Sequence, residues 1–115
     1  MLTIDALRDY GANVDEGLGR CFNNEAFYLR LVGMGLADAN FDKLKAALDA
    51  GDTTAAFEAA HALKGAVGNV SLTPVFEPVC KLSDMLKGHT DQPIPSQCRL
   101  LAEEVFDQLE KARNL

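Results

Sequence analysis

"DTTAAFEAAHALKGAVGNV", residues 52 to 70, decides how this chain is read. Asp52 is a good N-cap residue, and the alanine-rich run behind it favours helix as far as about Val70. Gly65 and Gly68 each cost a helix interior about 1 kcal/mol relative to alanine. Glycines accepted at that cost mark a helix end or a functional surface. At about 100° per residue, Thr54, Phe57, Glu58, Lys64, Gly65, Gly68 and Leu72 all fall within roughly 60° of His61. Ala56, Ala59, Leu63, Ala66, Val67 and Val70 group on the opposite side, a small-residue apolar stripe suited to close packing.

Working outward, the rest of the chain also reads as helix. Thr3 caps a short opening helix to Asp9, with Gly11 just past its end. "NVDE" at 13 to 16 has capping-box spacing and starts another short turn. A helix over about 24 to 38 carries Phe27, Leu31, Met34 and Ala37 as its apolar stripe. Asn40 caps a helix from Phe41 to about Ala50, which Gly51 ends. Thr73 followed by Pro74 opens a helix to about Lys87, with Pro78 in its second turn. "KGHTDQPIP" at 87 to 95 is the one real loop, and a last helix runs over about 95 to 113. No segment alternates with period two. The expected fold is all-α: an antiparallel four-helix bundle with a short extra N-terminal helix, residues 1–115 forming a single domain.

Composition narrows the function. The 115 residues are 48% hydrophobic and 24% charged, as in an ordinary globular domain. A net charge of −6 argues against nucleic acid and against anionic membranes. No apolar run approaches the ~18 residues of a membrane span. Cys21, Cys80 and Cys98 are odd in number and widely separated, so they read as small buried hydrophobes in a reducing cytoplasm, not as a disulfide framework or zinc site. His89 stands at no metal-ligating spacing from His61.

The His61 face carries the chemistry. If His61 faces water, Gly65 and Gly68 clear ground around it for a broad partner surface. Lys64, three residues on, leans back toward the helix N-terminus and can meet anionic oxygens placed on the ring. Glu58, three residues before, can take the other ring N–H and fix the tautomer. Phe57, one turn earlier on the same face, suggests an aromatic binding patch beside the histidine or a ring tucked against a neighbouring helix, and Thr54 and Leu72 share that face.

"AHALKGAVGNV" resembles the signature of histidine-containing phosphotransfer (HPt) domains, H-x-L-K-G followed by small residues. His61, Leu63, Lys64 and Gly65 match it position by position, and Gly68 and Asn69 fit common usage. Many members have glycine two places after the asparagine, where this chain has Ser71. The resemblance implies a phosphocarrier. His61 would take a phosphoryl group from a phospho-aspartate on one receiver domain and pass it to another, with Lys64 and Gly65 assisting. Thr54, Phe57, Glu58, Gly68 and Leu72 would meet the partner. It implies response-regulator receiver domains and a hybrid histidine kinase as partners and no cofactor or metal of its own, Mg²⁺ belonging to the receiver; a monomer is the default expectation. A histidine kinase helix pair fits less well, because Ala62 and Gly65 depart from its motif and no Walker stretch is present. A helical adaptor without chemistry, or an HPt module detached from a larger kinase, is the alternative.

Overall fold

The computed structural model describes residues 2–115, and all regular structure among them is helical. Seven helices follow one another: α1 (Ile4–Tyr10), α2 (Val14–Arg20), α3 (Glu25–Leu36), α4 (Asn40–Ala50), α5 (Thr53–Gly68), α6 (Thr73–Lys87) and α7 (Ser96–Arg113). Local chemistry sets most of their ends. The side-chain oxygens of Thr3, Asn24 and Asp52 each accept the N–H of the residue three places on, at 3.0–3.1 Å. Such caps satisfy donors that would otherwise be left unpaired at a helix N-terminus. Gly11 and Gly51 close α1 and α4 in the left-handed region, at φ 107° and 72°.

Three starts differ from expectation. The capping sequence at Asn13 opens a full seven-residue helix, so two short helices, not one, precede α3. Asn40 is the first residue of α4 and not its cap, because the Asp38 carboxylate accepts both the Asn40 backbone N–H (2.8 Å) and its side-chain amide (2.9 Å). Thr73 lies inside α6, whose cap is Leu72; the Leu72 carbonyl accepts the Phe76 N–H at 2.8 Å.

α5 sits between α4 and α6, α6 packs on α7, and α3 lies against both α5 and α7. The small-residue stripe does what its composition suggests. Ala56, Ala59, Ala60, Leu63 and Val67 are all buried, and alanines let neighbouring backbones approach closely. Full burial of a residue such as Leu63 contributes about 2 kcal/mol.

α3 is turned by about one residue from its expected face. Tyr28, Val32, Gly35 and Leu36 are buried, while Phe27 and Met34 are 41% and 60% exposed and Ala37 is exposed. Close packing explains the choice. The Tyr28 hydroxyl donates to the Val70 carbonyl at 2.8 Å, and its ring occupies the space that a side chain on Gly17 would need. Gly35 faces α5, where a Cβ would make ordinary van der Waals contact, 3.4 Å from the Ala66 carbonyl oxygen. Phe27 and Met34 offer as much apolar area but nothing for the Val70 carbonyl. Cys21 and Cys98 are buried as expected, and Cys80 is half-buried.

Candidate functional site

His61 stands on the solvent side of the middle of α5 and is exposed. Its imidazole lies against the Phe57 ring, with centroids 5.7 Å apart and planes 26° from parallel. Phe57 is half-buried and packs on the core, the second of the two placements the sequence leaves open for it. One turn separates the two residues, the spacing at which helical side chains meet.

The two glycines of this face have different surroundings. A Cβ on Gly65 would meet nothing within 4 Å, so bare backbone lies beside the histidine. A Cβ on Gly68 would stand 2.8 Å from the Phe76 ring of α6. Gly68 therefore makes room for a core-side aromatic, which corrects its expected role in clearing ground for a partner.

Lys64 is half-buried and Glu58 exposed, and among the described residues neither forms an ion pair. Lys64 also lies near Cys80 of α6. Burial pushes the Cys80 thiol up, and the Lys64 charge pulls partly the other way. No hydrogen bond joins Glu58 to His61 among the described residues; Glu58 instead borders a shallow groove shared with Lys43 and Asp52 between α4 and α5. The expected tautomer lock is absent from this geometry, and the ring rests on Phe57 in its place.

Thr54 is exposed, but its hydroxyl donates to the Thr90 carbonyl at 3.1 Å, and the buried Thr53 donates to Gln92 at 2.6 Å. Both threonines thus tie the loop after α6 to the start of α5. Leu72 is a clear correction. It is 0% exposed and belongs to the core, not to a partner surface. Helical angles carried its side chain to the His61 face only on the premise that α5 continues. The helix ends at Gly68, and Ser71 turns the chain at φ 57°.

That turn explains the Ser71 position. A left-handed backbone favours glycine, and serine here carries the strain with compensation. The Ser71 hydroxyl donates to Glu16 at 2.9 Å, and the Asn13 N–H donates to the Ser71 carbonyl at 2.9 Å. Glu16 in turn pairs with Arg20 at 3.1 Å, and Arg20 donates to the Gly68 carbonyl at 2.6 Å. A guanidinium at this end of α5 also complements the helix dipole. Glu16, Arg20 and Tyr28 thus fasten the end of the helix that bears His61. No sequence pattern signals this, because their partners lie more than forty residues away.

Among the described residues no group of three or more His, Cys, Asp or Glu side chains could hold a metal ion. No helix among them is long and apolar enough to cross a membrane. The arrangement as a whole is an accessible imidazole on a helix, with a lysine one turn on and open backbone beside the ring at Gly65. Compared with known families, residues 35–114 match a family model described as Hpt domain. The match covers α4 to α7 and leaves α1, α2 and most of α3 outside it. No curated protein and no solved structure was found to match the chain.

Proposed function

This chain belongs to the Hpt domain family, whose members are phosphocarriers in phosphorelays, and on that basis we propose that His61 is the residue that carries the phosphoryl group. One observation carries the reading. Within the matched stretch, His61 is exposed on α5 and the Gly65 backbone beside it is open.

In the proposed step a ring nitrogen of neutral His61 attacks the phosphorus of a receiver's aspartyl phosphate. The N–P bond forms from the nitrogen lone pair as the P–O bond to the aspartate breaks. The bonding electrons leave with the carboxylate. The ring becomes cationic during attack and releases its remaining N–H proton to water. Transfer to a second receiver is the same exchange in reverse. Such transfers pass through a loose transition state, in which positioning and charge neutralisation dominate. Lys64 supplies a cation within reach of the phosphoryl oxygens, and Gly65 lets the receiver approach. The receiver supplies Mg²⁺ and the other charges. Thr54, Phe57 and Glu58 border the docking face.

The same reading has α4 to α7 forming the antiparallel four-helix bundle, supported by their short connections and by the packing of α4 on α5, α5 on α6 and α6 on α7. It makes the chain a monomeric cytoplasmic carrier without ATP-dependent activity, receiving from a hybrid kinase.

The test is incubation with a receiver domain carrying ³²P-phosphoaspartate and Mg²⁺. Acid-labile, base-stable label on wild type and none on His61→Gln supports the carrier. Label on neither protein favours the adaptor, and label taken from ATP alone would make the protein a kinase.

A further inference from the structure

We propose that Phe57 is a positioning residue for His61, holding the imidazole in one orientation so that its distal nitrogen, Nε2, faces the phosphoryl donor. The proposal rests on the phosphocarrier reading and adds to it a determinant of the transfer rate. His61 forms no hydrogen bond and no ion pair among the described residues, and Gly65 offers it no side-chain wall. An exposed histidine so placed samples several staggered rotamers, and only some of them aim Nε2 away from the helix. The stack on Phe57, at 5.7 Å and 26°, selects among them. Phe57 is itself packed on the core, which makes it a fixed platform and not a second loose ring.

The geometry suits the chemistry in two ways. The lone pair of a ring nitrogen lies in the plane of the imidazole, so a ring covering one face blocks no line of attack. As the N–P bond forms, the imidazole gains positive charge with its centre 5.7 Å from that of the Phe57 ring, within the range at which a cation is attracted to an aromatic ring. Attraction between a cation and an aromatic face therefore strengthens on the way to the transition state. An interaction that grows along the reaction raises the rate; one that is constant does not.

Phosphoramidate separates this claim from receiver docking. It is small, and its phosphoryl group passes to Nε2 as its own P–N bond breaks and ammonia leaves with the electron pair. Phe57→Leu keeps apolar bulk on the core, and Phe57→Trp keeps an aromatic face. Measured at a temperature where all three proteins are folded, Phe57→Leu should phosphorylate about three- to tenfold more slowly than wild type. In its NMR spectrum the His61 ring protons should move downfield as shielding by the stacked ring is lost, with His89 unmoved as the internal reference. Phe57→Trp should recover most of the rate. A wild-type rate in Phe57→Leu, or Phe57→Trp as slow as Phe57→Leu, would overturn the proposal. Wild type that takes label from phosphoramidate but exchanges none with receiver domains would instead overturn the carrier reading, and leave the Phe57 result standing.

Discussion

Gly65 and Gly68 stand three residues apart on one face of α5, and a methyl group added to each meets opposite surroundings: open space at Gly65, the Phe76 ring at 2.8 Å at Gly68. The same contrast runs through the two parts of the helix they belong to. Around Gly65, the residues Glu58, His61 and Ala62 are exposed, and the imidazole touches little beyond Phe57. From Gly68 to Leu72 the backbone is held by Arg20, Tyr28 and Asn13, the Ser71 hydroxyl by Glu16, and the Leu72 side chain by the core. On the proposed function, one part is open so that a partner can reach it. The other is fastened so that the open part stays in place. Glycine serves both, by leaving a surface bare at one position and by admitting a neighbour's ring at the other.

Leu72 should break the contrast most sharply. Leu72→Ala should destabilise the fold by about 2–5 kcal/mol, as deletion of a fully buried leucine does, read from urea unfolding. The folded fraction should still accept phosphate at the wild-type rate. A slowed transfer with little loss of stability would return Leu72 to the partner surface. A valine at Ser71 comes next. A β-branched residue in the left-handed region, without the hydroxyl that reaches Glu16, should cost about 2 kcal/mol. Ser71→Gly should be close to neutral, since relief of strain offsets the lost hydrogen bond.

Tyr28→Phe should cost about 1–2 kcal/mol by leaving the Val70 carbonyl without its partner. An unchanged unfolding midpoint would show that water replaces the hydroxyl there. The glycines give the smallest effects and the finest test. Gly68→Ala should lose about 1 kcal/mol as the Phe76 ring is displaced, whereas Gly65→Ala should gain about 0.5–1 kcal/mol from helix propensity. Adding Phe76→Leu to Gly68→Ala should recover part of the loss. Gly65→Trp should leave the melting curve nearly unchanged yet slow transfer from a receiver, which a stopped-flow or gel assay would read. Equal effects on stability at both glycines would erase the distinction drawn between them.

Much of this was legible in residue order. The caps at Thr3, Asn13 and Asp52 act over three residues, and their side chains behave as such residues do in any helix. The face of α5 that bears His61 follows from its angular spacing, because the stripe opposite it is apolar and small. α3 was the harder case. Both of its faces are apolar, so periodicity alone does not choose between Phe27 with Met34 and Tyr28 with Gly35. The choice fell to a hydroxyl that finds a carbonyl and a ring that fills the space Gly17 leaves.

By itself, then, the sequence determined the helical character of the chain, the places where most helices begin, and the exposed imidazole with a lysine one turn away. Those follow from interactions reaching three or four residues, which any stretch of chain carries with it. The tertiary structure decided where α5 stops, which face of α3 is buried, and why Gly68 must be small. These depend on pairs such as Arg20 with Gly68 and Tyr28 with Val70, separated by 48 and 42 residues. Their energies exist only once the helices have met, and no local pattern encodes them.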